Sequence, residues 1–365
     1  MRALVLSHLY ADPSERQKLR ELAGLGWSIT VAIPGGAAAM DGAIRLCPIP
    51  VSGSLDDPQQ LRWSRRALRK LLTDVRPDLV HVEEAPGTPG AWTAVREATR
   101  SEVPAVIFSW ESLPLKRGFL ERRRLANTMS RVAGTIGGNQ LALQLLQAEA
   151  PDALALSLPQ TGITPPSAVD PKPDDMLAMA FVGRLVPERG VDRLLHACGQ
   201  LMGPWRLSIA GTGPEQPGLE DLAEKLGLAS RIRWLGPQSR AEVKALWGQV
   251  NCLVVPSRST PEWVERYSRP LLDAMAHEVA PVVAAEGALP ELVGDAGIVV
   301  HTDEELLVAL QELLVAPERR IALGHAGRRR VLERYVDAAI ARETDAFWRH
   351  VIARRAGAAR PADPQ

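Results

Sequence analysis

Apolar and polar positions fall into two series along the chain. In each, short runs rich in Val, Ile, Leu and Ala alternate with longer stretches of helical period, the pattern of βαβ units and mostly parallel sheets. The first series predicts strands at ALVLSHLY, SITVAIP, DLVHVEE, PAVIFSW and GTIGG, with helices between them such as residues 58–75. The second predicts strands at LAMAFVGR, WRLSIAG, RIRWLG, NCLVVPS, APVVAAE and GIVVH, with helices over 191–201, 240–249 and 270–277.

Between the two series, LPQTGITPPSAVDPKPDD (residues 158–175) is dense in Pro and Asp and holds no period, which marks a domain linker. Beyond His301 the pattern is helical nearly to the end, and RRAGAARPADPQ reads as a frayed tail. The expected architecture is α/β, with two doubly wound Rossmann-like domains facing across a cleft. The expected bounds are 1–165, 166–345, and a helix end with tail over 346–365. Ligands of such sheets bind beyond the carboxyl ends of the strands.

Composition narrows the classes. The chain has 365 residues, with 43 basic and 43 acidic side chains, so no overall field draws in nucleic acid. Three dispersed cysteines make neither a disulfide framework nor a metal site, which implies a reducing cytoplasm. No apolar run is long enough to span a bilayer, and the N-terminal run fits a first buried strand rather than a signal peptide. Only six of the basic residues are lysine, so Arg is the default cation.

The stretch PEWVERYSRPLLDAM follows the strand NCLVVPS directly, where open sheets place ligands. Pro270 is tolerated only in a first helical turn and Ser268 suits the cap, so a helix starts near Ser268. Its free N–H groups and positive dipole end suit a phosphate. Glu265 lies in the loop ahead and Asp273 one turn inside. Around a bound phosphate, the two acids would accept hydrogen bonds from hydroxyls on either side, a ribose toward Asp273 and a sugar ring toward Glu265. Taken alone, the same acids equally fit a plain preference for a helix N-terminus. A second stretch, FVGRLVPERGVDRLL, puts Arg184 at a strand end and Arg189 five residues later before a helix. Two forked guanidiniums there can neutralise a diphosphate without metal; for Arg189 alone, a solvated surface position fits better.

In order, GRLVPERG, AGTGP, RIRWLG, VVPS, the acid pair and GALPELVGDAGIVV make the C-terminal half resemble the family 4 retaining glycosyltransferases of the GT-B fold (glycosyl transferases group 1). The resemblance implies that Glu265 contacts the transferred sugar, Asp273 the ribose, and Arg184 and Arg189 the diphosphate. The base would lie against Arg233, Trp234 and the residues up to Gly236. Gly183, Gly211, Tyr267, Ser268, Arg269 and Pro270 complete the expected donor site. The donor would be a nucleoside-diphosphate sugar of uridine or guanosine. The chain departs from the family in four ways: Asp273 for a usual Glu, Arg189 for a usual Lys, Glu278 near a usual Gly, and the bulky RYSR before the helix.

The N-terminal half resembles the family less. SHLYADPSER lacks the Gly-Gly loop found after the first strand of many members, and Trp110, with Glu111 beside it, stands where many have a His. His8, Glu83, Glu84 and Trp110 are the acceptor-side candidates, Glu111 is the preferred base, and His81 reads as a residue packed in the sheet. With no Asp-x-Asp pair, neither metal nor other cofactor is expected, and the diphosphate would leave against Arg184, Arg189 and the helix end.

GTGPEQPG lacks the third glycine of a dinucleotide fingerprint, which argues against a nicotinamide enzyme. Lys116, Arg117, Arg122, Arg123, Arg124 and Arg131 against Glu121 form a basic segment that fits either a solvated helix face or peripheral contact with an anionic membrane. The acceptor class spans glycans of the cell envelope, lipids and small natural products. A catalytically silent nucleotide-sugar-binding partner subunit is the alternative reading. A nucleotide-sugar 2-epimerase on the same fold fits the ordered motifs less well.

Overall fold

The computed structural model describes residues 1–54, 57, 60–172 and 175–358. It divides into two compact units, Met1–Gly162 with Asp337–Gln365, and Ile163–Val336.

The second unit is the simpler. Among the described residues its sheet is wholly parallel and comprises β11 (Leu177–Val182), β12 (Trp205–Ala210), β13 (Ile232–Gly236), β14 (Cys252–Val255), β15 (Ala280–Ala284) and β16 (Ile298–Val300) in the order β13-β12-β11-β14-β15-β16. Helices cover both faces, so most of these strands are buried on both sides and read as continuous apolar runs. One face packs Leu177, Met179 and Phe181 against the helix Val191–Gln200. The other packs Ala180, Leu253 and Val283 against the helix Arg269–Ala276. The chain runs from β11 outward to β12 and β13, then crosses back to lay β14 on the opposite flank. The direction of winding therefore reverses between β11 and β14, and the crevice beyond their carboxyl ends is where such a sheet takes a ligand.

In the first unit, β1 (Arg2–Leu6), β2 (Ser28–Pro34), β3 (Ala39–Asp41), β4 (Ile44–Ile49), β7 (Leu79–Val82), β8 (Ala105–Ser109), β9 (Gly134–Gly137) and β10 (Leu154–Ser157) lie in the order β10-β9-β8-β7-β1-β2-β4-β3. All pairs are parallel except β3 with β4. A separate two-stranded ribbon joins β5 (Val51–Ser52) to β6 (Arg62–Trp63). Winding reverses here between β1 and β7. One face carries the helices Arg65–Val75, Pro89–Arg100, Phe119–Met129 and Gln140–Glu149. The other carries Gln17–Gly24 and the C-terminal helix Asp337–Ala358.

Several expected bounds shift. The helix expected over 58–75 begins at Arg65, because Arg62 and Trp63 pair as β6 with Ser52 and Val51; Pro58 and Gln59 lie outside the described residues. The segment expected to link the domains changes unit at once after Gly162. Ile163 is already buried in the second unit and donates its N–H to Tyr335 O at 2.9 Å, and Lys172 Nζ donates to Trp247 O at 2.5 Å. Pro173 and Asp174 of that segment lie outside the described residues, as does the tail from 359 onward.

The chain also returns. Residues 337–345 were expected in the second domain and the following helix end by itself, whereas the whole helix Asp337–Ala358 belongs to the first unit. The cause is a buried apolar stripe that includes Ile340, Trp348 and Val351. Trp348 meets Trp27 edge-on at 5.0 Å and His81 at 5.4 Å, and Asp345 accepts from Trp27 Nε1 at 2.7 Å. The three cysteines are free and buried. No helix among the described residues is long and apolar enough to cross a membrane.

Candidate functional site

The crevice beyond β11 and β14 is built from loops whose backbones touch. Gly183 N donates to Ala210 O at 2.9 Å, Gly211 N to Gly236 O at 2.8 Å and Arg258 N to Glu188 O at 2.8 Å. Gly211 has φ +136°, and a Cβ there would lie 1.8 Å from Gly183 O; no side chain fits. After β11 the chain makes a 3-10 turn, Pro187–Arg189, and enters its helix through Gly190 at φ +64°.

That turn aims Arg189 across the crevice. Its guanidinium donates to Oε2 of Glu265, from the loop after β14, and stacks over the ring of Trp263 with Cζ 5.5 Å from the centroid. Glu265 is only 3% exposed, and Ser257 Oγ, fully buried at the end of β14, donates to the same oxygen at 3.3 Å. Burial raises the Glu265 pKa, while Arg189 and Ser257 oppose the rise. Glu265 O accepts from Ala288 N at 2.8 Å, tying the loop to the segment after β15.

The helix following this loop runs Arg269–Ala276, with Ser268 at the N-cap and Pro270 in the first turn. Ser268 is buried in extended backbone and its side chain makes no capping hydrogen bond, contrary to the cap expected of it. The first-turn amides are thus left without a capping side chain. Asp273 is half-buried, and its carboxylate makes no hydrogen bond among the described residues; burial raises its pKa against the fields of Arg269 and His277. Tyr267 packs against the apolar cluster beneath the helix.

Arg184 lies exposed on the same β11 loop and makes no ion pair among the described residues. Gly183 backs Arg189, whose Nε would lie 3.6 Å from a Cβ placed there. Arg233 and Trp234 stand elsewhere. Arg233 is exposed early in β13, with Nη1 3.5 Å from Gln249 Oε1, and Trp234 packs on the core. The part of β13 that reaches the crevice is its end, Gly236.

The reversal point of the first unit holds a second constellation. Glu84, 4% exposed after β7, accepts from His8 N and lies 3.1 Å from His8 Nδ1; His8 follows β1 and keeps its other side in solvent. The Glu84 hydrogen bond raises the His8 pKa although burial opposes it, and burial raises that of Glu84. Glu83 points the other way, into a buried network with Lys18 Nζ at 2.7 Å, Tyr10 Oη at 3.1 Å and Gln160 Nε2 at 2.9 Å. Burial pushes its pKa up, yet Lys18, His81 and Gln160 hold it below the ordinary value. Trp110 completes this network by donating to Gln160 Oε1 at 3.0 Å, with its ring edge-on to Phe108. His81 is packed in the sheet, and burial pushes its pKa down to about 4.

Glu111 is held by Arg117, which also reaches Glu121 at 3.2 Å, and it lines a cavity of about 430 Å³ whose walls do not include His8 or Glu84. Arg117 thereby engages one of the two Glu111 carboxylate oxygens, Oε2. Sequence reasoning missed Ser257 and Trp263, whose neutral side chains carry no signal until β14 is set beside β11. Among the described residues no group of three or more His, Cys, Asp or Glu is placed to hold a metal.

Two Rossmann-like units of this kind define the GT-B class. A structure of Anabaena Alr3699/HepE in complex with UDP superposes with a TM-score of 0.68 over 96% of this chain and 100% of that one, at 16% identity, a likeness of fold alone. Residues 167–330 match the model of the glycosyl transferases group 1, and residues 16–136 that of the glycosyl transferase 4-like domain. The chain belongs to this glycosyltransferase family. It is 35% identical over 163 residues to a D-inositol 3-phosphate glycosyltransferase of Mycobacteroides abscessus, covering 42% of this chain and 36% of that one. It is 31% identical over 183 residues to an MMP alpha-(1->4)-mannosyltransferase of Mycolicibacterium hassiacum, covering 48% and 43%. The matched segments thus span less than half the length of these curated relatives.

Proposed function

We propose that the protein transfers a sugar from a nucleoside-diphosphate sugar to an acceptor hydroxyl, with retention at the anomeric carbon and without a metal ion. The observation that carries this reading is the Arg189–Glu265 pair at the reversal point of the second sheet, beside a helix start that no side chain caps. An anion entering there meets first-turn amides and two guanidiniums, Arg184 and Arg189. Asp273, a half-buried carboxylate that makes no hydrogen bond among the described residues, suits the ribose diol. Glu265 suits the sugar hydroxyls once Arg189 turns to the diphosphate.

In the transfer, the bond from the anomeric carbon to the diphosphate breaks and its electron pair leaves with the phosphate oxygen. Preorganised cations and amides at that oxygen are the main source of acceleration. The acceptor oxygen bonds to the same face of the sugar. Its proton is assigned to the departing diphosphate, since Lys18, His8 and Arg117 already engage Glu83, Glu84 and Glu111. The neighbour solved with UDP supports a uridine donor, and the relatives named for an inositol phosphate and for mannosyl transfer support a polyhydroxylated acceptor. A cytoplasmic setting fits the free cysteines.

The test is a thermal-shift panel of UDP, GDP and their sugars, followed by proton NMR of the product linkage. A ligand at hundredfold excess over its Kd should stabilise the fold by about 2.7 kcal/mol. An inverted product overturns the retaining assignment. Binding without turnover across donors and acceptors favours the silent partner subunit instead.

A further inference from the structure

The helix Phe119–Met129 buries Leu125, Thr128 and Met129. Its first turn does the opposite. Phe119 is 77% exposed, Leu120 70% and Leu115 just ahead 49%, three large apolar side chains within six residues. Lys116, Arg122 and Arg123 stand exposed among them, and none makes a side-chain hydrogen bond or ion pair among the described residues. Apolar side chains clustered in solvent and rimmed by unpaired cations are a contact surface rather than a by-product of folding.

The surface extends over the same helical layer. Arg96 and Arg131 both lie on the ring of Trp92, at 5.7 and 5.2 Å, and the neighbouring helix Arg65–Val75 presents Arg66 and Lys70 outward. Residues 62–131 hold fourteen basic and eight acidic side chains in a chain that is neutral as a whole. Three of those acids, Glu83, Glu84 and Glu97, are buried in ion pairs, so the outward face is more positive than the count. Beside the exposed apolar tip, the cavity of about 430 Å³ is walled by Leu113, Leu115, Leu125, Leu145 and Leu146.

We propose that this face docks on an anionic lipid bilayer, with Leu115, Phe119 and Leu120 inserted among the acyl chains and Lys116, Arg122 and Arg123 on the headgroups. Cations alone would suit any polyanion. The exposed Leu115, Phe119 and Leu120 have no counterpart on a nucleic-acid backbone, and they match the hydrocarbon just beneath a charged headgroup layer. The inference is independent of the donor site, which lies in the other unit.

The full chain is sedimented with phosphatidylcholine vesicles, with and without phosphatidylglycerol. Binding is expected only with the anionic lipid, weakening as salt shortens the screening length. Phe119→Ser/Leu120→Ser and, separately, Lys116→Gln/Arg122→Gln/Arg123→Gln should each weaken it at least about tenfold, with circular-dichroism melts unchanged because none of these side chains is buried. Equal binding to both vesicle types, or a serine variant that binds like the wild type, overturns the proposal. A vesicle-free dimer abolished by the serine pair would assign the face to a second copy instead. Binding of a mixed-sequence oligonucleotide as tight as that of the anionic vesicles and indifferent to the serine pair would assign it to nucleic acid; either outcome overturns the proposal.

Discussion

Arg189 and Glu265, 76 positions apart, meet in an ion pair because β11 and β14 are neighbours in the sheet though not in the sequence. The Glu265 side chain is 4% exposed and that of Arg189 22%, so the pair is largely shielded from water. A guanidinium so engaged must leave the carboxylate before it can hold a diphosphate. On the proposed reading, the pair holds the donor site in a charge-balanced form until a diphosphate arrives.

Breaking it from either side should have opposite effects on binding. Arg189→Ala leaves Glu265 buried and uncompensated, which costs about 3 kcal/mol of stability and removes a diphosphate contact. Glu265→Gln frees Arg189, so affinity for the bare nucleoside diphosphate should hold or rise while transfer falls by about 100-fold or more. Calorimetric titration with UDP beside steady-state kinetics separates the two. Parallel losses of UDP affinity in both variants would show that Glu265 does not restrain Arg189.

The backbone crossing between Gly211 and Gly183 should tolerate no side chain. Gly211→Ala sets a Cβ 1.8 Å from Gly183 O at a positive φ, and a destabilisation above about 4 kcal/mol is expected in urea unfolding. Gly218→Ala is the control, since nothing lies within 4 Å of its Cβ position. Equal midpoints for the two variants would mean that the loops part easily.

The strands of the second unit were legible because burial on both faces leaves uninterrupted runs such as LAMAFV and CLVV. The edges of the first sheet were not. β3 is largely exposed, β4 carries Arg45 and Pro48 inside its run, and β10 is only half-buried. The apolar stripe of the helix Asp337–Ala358 declares a buried face but not which sheet will bury it. Likewise the strand-to-helix placement of Arg189, Glu265 and Asp273 was legible, whereas the His8–Glu84 contact exists only because β1 lies beside β7.

On the proposed reading, Asp273 makes a specific demand on the donor. If it accepts from the ribose diol, wild type should bind UDP about tenfold more tightly than its 2′,3′-dideoxy analogue, one charge-assisted hydrogen bond or more. Asp273→Asn should erase most of that preference and leave the dideoxy affinity nearly unchanged. A preference that survives the substitution places the ribose elsewhere.

Chelation bears on the leaving group. With Arg184, Arg189 and the helix start neutralising the diphosphate, transfer in excess EDTA should match transfer with added manganese within about twofold. Loss of activity on chelation, restored by manganese, would require a cation that these residues do not replace.

His81 links the fold to pH. Buried in β7 with no hydrogen bond to either ring nitrogen among the described residues, it is held neutral, its pKa pushed down to about 4 from 6.5 in an unfolded chain. The unfolded state therefore binds a proton that the native state refuses. The resulting stability is fully present above about pH 6.5 and declines as pH falls toward 4, where the native ring also charges. The span corresponds to about 3 kcal/mol at most. Urea midpoints from pH 7 to pH 4 should fall in wild type more steeply than in His81→Gln, which carries no titrating ring. Parallel curves would assign the acid sensitivity to the carboxylates alone.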